Sequence, residues 1–313
     1  MTVDRLSVQG SVVDAAPSGK KGGAPRARPP RSRLIDWLAV GPFFLFALLF
    51  IFLPSLQIFI RSFQDREGHF TFDNIVTAAT GVDFVNAYQA SLSISLITAV
   101  GGAAFGFLLA YAVIMGGLPR ALRTFMMTFS GVASNFAGVP LAFAFIATMG
   151  TAGLVTRLFE AITGVNPQRD LGFSIYTIWG LSIVYMYFQF PLMVLVMAPA
   201  LDGLRREWRE ACENLGGRTY HFWRYVALPI LLPSLLGTTI LLFGNAFGAY
   251  ATAYAFSGSF INLVPIVIGA QIKGDVLYNP GLGNALALGM ILIMALCMTG
   301  YGLLQRRSAR WLR

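Results

Sequence analysis

Long uncharged, largely apolar runs dominate the chain and are separated by short polar connections. Dividing the 313 residues at the charged side chains leaves six such runs: 37–60, 84–119, 124–156, 171–201, 225–272 and 276–305. Each exceeds the roughly 20 residues that a helix needs to cross about 30 Å of hydrocarbon. Backbone groups must be satisfied internally in lipid, and the alternation typical of a barrel is absent. The pattern therefore predicts an all-α membrane protein with six transmembrane helices.

The fifth run is long enough for two helices, because it extends from residue 225 to residue 272. Ser257, Gly258 and Pro265 interrupt it, and they predict a turn near residue 257 followed by a short extracytoplasmic segment. Two full spans here would move the basic C-terminus to the other side of the membrane. We therefore keep six spans.

Basic residues indicate the orientation of the spans. Seven Lys and Arg precede Trp37, two lie at Arg120 and Arg123, five lie within 202–224 and four lie after residue 305. The positive-inside rule places these regions, including both termini, in the cytoplasm. The net charge of +9 thus reflects topology and contact with anionic lipid. It does not indicate a nucleic-acid partner, because it is scattered along membrane edges.

Three regions follow from this organisation. Residues 1–33 are rich in Gly, Pro, Ser and Arg, which predicts a disordered basic tail. Residues 34–305 form the six-helix membrane domain, and residues 306–313 form a cytoplasmic C-terminus. The two cysteines, Cys212 and Cys297, indicate neither a disulfide nor a metal framework.

Chemistry-bearing residues are missing from the centres of the predicted spans. None holds Asp, Glu, Lys, Arg or His there, whereas transporters driven by ions and voltage sensors usually need intramembrane ionisable groups. The chain has no P-loop pattern and no constellation typical of an enzyme or a metal site. We therefore expect a non-catalytic protein, and any uphill transport must take its energy from a partner.

A polar loop, residues 202–229, separates the fourth and fifth spans. Its first part predicts a short helix with two i, i+4 ion pairs, Arg206 with Glu210 and Arg209 with Glu213. Gly216 and the following glycine end that helix and permit a sharp turn.

A second amphipathic stretch, residues 220–226, follows the turn, and Pro229 predicts a bend where the chain re-enters the membrane. On spacing alone, two interpretations of the loop remain open. It is either a rigid element that receives motion from another protein or a charged connector lying among lipid headgroups.

The loop resembles the motif of permease subunits of binding-protein-dependent ABC importers. That motif reads Glu-Ala-Ala, three residues, Gly, six residues, Phe, two residues, Ile, one residue, Leu-Pro. The matching residues, with three conservative departures at 212, 223 and 226, are Glu210, Ala211, Cys212, Gly216, Trp223, Val226, Leu228 and Pro229. The loop also lies where the family has it, in the last cytoplasmic connection with two spans following.

The resemblance implies a coupling helix that docks in a groove of an ATPase subunit. Glu210, Ala211 and Gly216 would form the contact, with electrostatic partners at its rim. The candidates for those partners are Arg205, Arg206 and Arg209. It also implies a bacterial inner-membrane complex of two permeases (this chain twice, or with a homologue), two ATPases that bind ATP and Mg, and an extracytoplasmic binding protein. This chain itself would hold no cofactor.

The substrate is indicated less specifically. Residues 244–255 resemble the fifth span of permeases for polyamines, opines and phosphonates, which makes spermidine or putrescine the best guess. Permeases for sulfate, molybdate, thiamine and ferric ion are close relatives, and a non-ABC channel or scaffold is a further alternative. Candidate path residues are Asn135, Gln189, Asn245, Tyr250 and Tyr254. The alternative for each is helix–helix packing.

Overall fold

The computed structural model describes residues 40–170, 172, 174–258, 261–273 and 278–311, with side chains as far as Leu303. The predicted tail, residues 1–33, lies outside the described residues. The chain divides into two compact units, Met1–Pro54 and Ser55–Arg313. In the first unit the described residues are helical and mostly exposed, and they include a π-helical turn at Leu48–Phe52.

Helices make up nearly all of the described part of the chain. Its β-structure is limited to an isolated antiparallel bridge between Gln64 and Phe70. In chain order the helices are α1 (Val40–Ser62), α2 (Asp73–Thr80), α3 (Val82–Met115), α4 (Arg120–Asn135), α5 (Val139–Met149), α6 (Leu154–Thr163), α7 (Ile178–Asp202), α8 (Arg206–Asn214), α9 (Thr219–Phe247), α10 (Tyr250–Ser257), α11 (Val264–Lys273) and α12 (Pro280–Trp311).

Six helical segments of the described residues are long and apolar enough to cross a membrane, which confirms the predicted number. They are Val40–Ser62, Val82–Met115, Val139–Thr163, Ile178–Asp202, Thr219–Phe247 and Pro280–Leu303. The predicted third run, 124–156, differs in detail because it is divided among α4, α5 and α6. The predicted turn near residue 257 is confirmed, since α10 ends at Ser257 and Gly258 has a φ of +56°.

The centre of the second unit is the contact between α3 and α7, the most extensive helix pair of the described chain. Two glycines four residues apart permit it. A Cβ at Gly102 would lie 2.8 Å from the Cβ of Gln189, and one at Gly106 would lie 2.6 Å from the Cβ of Met193. This small-xxx-small spacing lets the two backbones approach closely. Helices in a membrane depend on such close packing, because no hydrophobic driving force brings them together there.

Helices α9 and α10 pack around this pair and bury two apolar clusters. One lies towards α8 and includes Met197, Leu201 and Leu231. The other surrounds the junction of α9 and α10 and includes Tyr185 and Phe256. Because α7 runs from Ile178 to Asp202, it joins the two ends of the bundle.

Candidate coupling surface and membrane path

Helix α8 forms as the sequence predicts, and both predicted ion pairs are present. Arg206 Nε lies 3.0 Å from Glu210 Oε1, and Arg209 Nε lies 3.0 Å from Glu213 Oε1. All four side chains are more than half exposed, so each pair contributes only about 0.3–0.5 kcal/mol. The two ion pairs hold the arginine and glutamate side chains in fixed positions along the helix surface. Arg205 precedes the helix in an extended conformation, with its guanidinium 5.9 Å from the centre of the Trp208 ring.

The end of α8 is a Schellman motif that requires glycine. The Gly217 N–H donates to the Cys212 carbonyl oxygen at 2.9 Å, and the Gly216 N–H donates to the Glu213 carbonyl oxygen at 3.0 Å. Gly216 has a φ of +79°, which side chains with a Cβ rarely adopt. At Gly217 a Cβ would lie 2.6 Å from the Sγ of Cys212. Both glycines are therefore needed to end α8 at this point: Gly216 for its positive φ, and Gly217 because a Cβ would clash with Cys212.

The segment after this turn begins helix α9. Its first turn is supported by the Arg218 N–H, which donates to His221 Nδ1 at 3.1 Å. Helix α9 then continues through Pro229 to Phe247 and does not end at the proline. A π-helical turn, Trp223–Ala227, directly precedes this part of the helix. The proline follows in the first turn of the α-helical part, where a missing N–H is tolerated.

The matched motif residues point in two directions. Glu210, Ala211 and Gly216 are exposed, whereas Trp223 packs edge-on against Tyr111 of α3 at 5.2 Å between ring centroids. Neighbouring Phe222 is buried. One part of the motif thus offers an outer surface, and the other part attaches the loop to the bundle.

An apolar groove of about 590 Å³ lies on the outer side of α8. Its lining residues are Trp208, Ala211, Cys212, Leu215, Gly216, Gly217, His221, Val226 and Ile230. Leu215 is 89% exposed at its edge. The sequence analysis missed Leu215, although its position directly before the glycine turn was a possible signal.

The sequence analysis also missed an ion pair at the base of the loop. Nη2 of Arg123, in the first turn of α4, lies 2.8 and 2.7 Å from the two carboxylate oxygens of Asp202, the last residue of α7. Both side chains are 40–50% exposed. No local spacing signals this pair, because the two residues are 79 positions apart.

Two breaks interrupt the membrane helices at the other end of the bundle. Between α4 and α5, Phe136 has a ψ of 83° and Gly138 has a φ of 77°. Between α9 and α10, Ala249 has a ψ of 83°. Non-helical backbone at membrane depth is tolerated where it is buried in protein or lines a cavity. The sequence analysis missed both breaks.

Side chains from distant parts of the chain satisfy the two breaks. The Gly138 N–H donates to Oγ1 of Thr252 in α10 at 2.7 Å, which joins one break to the helix beyond the other. The Tyr185 hydroxyl of α7 donates to the Ala249 carbonyl oxygen at 2.9 Å. Thr252 and Tyr185 are both buried. We call this assembly the broken-helix joint.

The predicted path residues separate into two groups. Asn135 and Asn245 are exposed next to the two breaks, and Tyr254 is 52% exposed. Tyr250 stacks on Tyr254 with 5.4 Å between ring centroids. Gln189 is fully buried and donates to the Leu242 carbonyl oxygen at 2.9 Å, so its side chain does not reach the exposed face.

Comparison with known proteins agrees with this geometry. Residues 102–313 match the family model "Binding-protein-dependent transport system inner membrane component". The chain is 25% identical over 248 residues to the probable sulfate transport system permease protein cysT of Nephroselmis olivacea, covering 78% of this chain and 81% of that protein. It is 24% identical over 272 residues to the spermidine/putrescine permease protein PotB of Haemophilus influenzae, covering 84% and 92%.

Its fold is similar to that of a chain in the crystal structure of a bacterial ABC transporter involved in import of the polysaccharide alginate. The TM-score is 0.69 at 14% identity, with 88% of this chain and 98% of that chain covered. The chain therefore belongs to the family of binding-protein-dependent transport system inner membrane components, and it is a multi-pass, non-catalytic permease subunit of an ABC importer.

Proposed function

We propose that this chain forms half of the translocation path of an importer that contains two permeases, two ATPases and an extracytoplasmic binding protein. The second permease is either this chain again or a homologue. ATP and Mg bind to the ATPases, and this chain holds neither. The basic residues that flank the spans support an orientation with α8 and both termini in the cytoplasm.

The observation that carries the coupling role is the exposed side of α8. An apolar groove beside the protruding Leu215 is unfavourable in water and is typical of a protein contact. It favours a partner protein over the alternative of a connector lying in lipid headgroups. Ala211 and Gly216 line this groove, whereas Glu210 and the arginines at 205, 206 and 209 line a separate charged pocket of α8. We assign both to the contact with the ATPase.

Motion of α8 has a physical route to the membrane. Asp202, at the end of α7, is held by Arg123, and Trp223, in α9, is held by Tyr111. Residues 203–205 connect α8 directly to α7, and residues 215–218 connect it directly to α9, so a shift of α8 pulls on both helices. These two helices meet again where the Tyr185 hydroxyl bonds the backbone just beyond the end of α9. We infer that ATP-driven displacement of α8 reaches the broken-helix joint by this route.

The exposed face of the broken-helix joint is the proposed path lining. Its polar and aromatic residues are exposed Asn135, Asn245 and Tyr254, with half-buried Tyr250 stacked on Tyr254. Amide oxygens and tyrosine faces attract cations. Residues 124–156 and 225–272 contain neither basic nor acidic side chains, so exposed amides and tyrosine rings are the groups that these segments offer to a solute. These features and the similarity to PotB support a polyamine such as spermidine or putrescine. Similarity to sulfate, molybdenum and thiamine permeases makes those solutes the alternative.

Purification of the chain from gently solubilised native membranes tests the coupling role. We expect an ATPase to co-purify with the wild type and to be lost with Glu210→Lys. The matched control is Glu207→Lys, which makes the same charge change on the same exposed helix outside the motif. Absence of an ATPase from the wild-type complex, or equal recovery with both variants, would contradict the proposal.

Uptake by the reconstituted complex tests the substrate. We expect binding-protein-dependent accumulation of radiolabelled spermidine or putrescine, with excess unlabelled sulfate having no effect. Accumulation of labelled sulfate, molybdate or thiamine would replace the polyamine and leave the coupling role intact.

A further inference from the structure

The ion pair between Arg123 and Asp202 joins two helix ends that each carry an unfavourable charge. Arg123 lies in the first turn of α4, where the helix dipole is positive, and Asp202 is the last residue of α7, where the dipole is negative. The first turn of α4 has no acidic residue and no side-chain cap, and the last turn of α7 has no basic residue. Each charge is therefore unfavourable for its own helix and is compensated by the other helix.

The pair determines position more than stability. Because both side chains are 40–50% exposed, it contributes little to the free energy of unfolding. Its geometry is nevertheless specific, since Nη2 of Arg123 donates to both carboxylate oxygens of Asp202. The pair thus fixes the start of α4 against the end of α7.

Further contacts hold the rest of α4 against α7, the helix on which it mainly packs. Met127 packs on the apolar cluster that includes Met197 and Leu201. Directly after α4, the Phe136 ring lies edge-on to the Tyr187 ring of α7, with 6.3 Å between their centroids. Helix α4 therefore lies antiparallel to α7 and contacts it at both ends.

The two ends of α4 connect the coupling loop with one of the breaks. Asp202 lies four residues before Arg206, where α8 begins, and Phe136 begins the break that extends to Gly138. The Gly138 N–H in turn donates to Oγ1 of Thr252 in α10. Helix α4 is therefore a second route from α8 to the broken-helix joint, separate from the route through α7 and α9.

We propose that Arg123 is a positioning residue for coupling. Its bond to Asp202 makes α4 follow α7 when displacement of α8 pulls on the end of α7, so the two breaks of the joint move together. Without this bond, α7 moves alone and the break at residues 136–138 stays behind. This inference rests on the proposed function, because it needs an ATPase that displaces α8.

The distance between two spin labels tests the proposal in the complete complex of permease, ATPase and binding protein, whatever the solute is. Cys212→Ala, which supplies the residue usual in the motif, and Cys297→Ser remove the native thiols. One label then replaces Phe125 of α4 and the other replaces Ile183 of α7, and both positions are exposed. An excess of unlabelled permease keeps a second labelled copy out of the complex.

We expect the distance without the variants below to be the same in the absence of nucleotide and with ATP and vanadate, because the helices move together. With Arg123→Glu, it should change by several ångströms on addition of ATP and vanadate. Combination with Asp202→Arg, which reverses the pair, should restore a constant distance. The matched control is Arg120→Glu, which makes the same charge change in the same turn, at an exposed residue without an ion pair in the described part of the chain.

Bound ATPase is quantified in the same samples. Its absence from the complex with an intact pair would contradict the coupling role, and this inference would fail with it. With the ATPase bound, four results would overturn this inference alone. They are a distance that changes with ATP although the pair is intact, an Arg123→Glu distance that does not respond to ATP, a change equal to that of Arg120→Glu, and a reversed pair that restores nothing.

Discussion

The Tyr185 hydroxyl donates a hydrogen bond of 2.9 Å to the carbonyl oxygen of Ala249, across 64 positions of the chain. Ala249 lies in the break between α9 and α10, where its carbonyl has no place in a regular helix. An unsatisfied backbone group at membrane depth costs several kcal/mol. Tyr185 is 1% exposed, so water does not replace it as a donor. Through this bond, α7 stabilises the non-helical backbone between α9 and α10.

Replacement of Tyr185 with phenylalanine removes only this donor and keeps the packed ring. We expect Tyr185→Phe to destabilise the protein by about 1–3 kcal/mol, because the partly buried Ala249 carbonyl loses its hydrogen-bond donor. Thermal unfolding of the purified permease in detergent measures the effect. Tyr187→Phe is the control, because Tyr187 lies on the same helix and its ring also packs against other side chains, those of Phe136 and Phe145. Equal stability of the two variants would contradict the role of the hydroxyl.

Thr252 offers a second test of the broken-helix joint. Thr252→Val keeps the side-chain shape and removes the acceptor for the Gly138 N–H, so we expect a loss of about 1–3 kcal/mol and slower uptake. Thr239→Val is the matched control, because the Thr239 hydroxyl bonds only the Leu235 carbonyl of its own helix. Measuring unfolding and ATP-dependent uptake for both variants separates the two effects. If Thr239→Val lowers stability and uptake as much as Thr252→Val does, the bond to Gly138 has no specific role.

The backbone of Gly216 predicts which replacements α8 tolerates. At a φ of +79°, a β-branched residue is strongly disfavoured, whereas asparagine adopts this region more readily. We expect Gly216→Val to abolish ATP-driven uptake and Gly216→Asn to retain much of it. The strain is of the order of 1–2 kcal/mol or more, and relieving it would unwind the end of α8. Uptake normalised to the amount of protein in the membrane is the measurement. Normal uptake with valine would show that the turn is dispensable.

Leu215 has the highest exposed fraction of the large apolar side chains that the structure describes, which suggests that a partner protein covers it. Because it is 89% exposed, Leu215→Asp should leave the fold unchanged while it weakens ATPase binding roughly tenfold or more. Titration of the solubilised permease with the purified ATPase gives the affinities. Asn214→Asp introduces the same charge one residue earlier, at an exposed position, and serves as the control. Equal affinities of the two variants would remove Leu215 from the contact.

The hairpin between α1 and α2 predicts a pH dependence. Desolvation raises the pKa of Asp65, but the backbone N–H groups of His69 and Glu67 together outweigh it and hold the pKa below its ordinary value of 3.8. A carboxylate with a lowered pKa stabilises the folded hairpin above that ordinary value, and the stabilisation is lost as the pH falls through the lowered pKa.

We therefore expect amide exchange at His69 and Glu67, corrected for intrinsic rates, to be constant near neutral pH and to accelerate only below about pH 4. Hydrogen exchange read by mass spectrometry follows both amides. Asp65→Asn, which removes the titrating group, should abolish the pH dependence. Acceleration beginning well above the ordinary range would mean that another group controls the hairpin.

Much of this architecture could be predicted from local patterns. The number of spans follows from uninterrupted apolar runs, since a helix is the structure that satisfies its own backbone in lipid. Helix α8 was predictable because its ion pairs are four residues apart and its end requires glycine, and both are local properties. The expected bend at Pro229 stays a prediction, and the structure adds that the helix is continuous there, with a π-helical turn before the proline.

The sequence by itself determined the membrane class, the helical fold, the motif of the coupling loop and the candidate residues within it. Tertiary structure alone decided where the membrane helices break, because the uncharged runs 124–156 and 225–272 continue across Gly138 and Ala249. The groups that satisfy these breaks come from 114 and 64 positions away. It also decided that Gln189 is a buried contact, since a polar residue in an apolar run is compatible with a path or with packing, and only the neighbouring helices distinguish them.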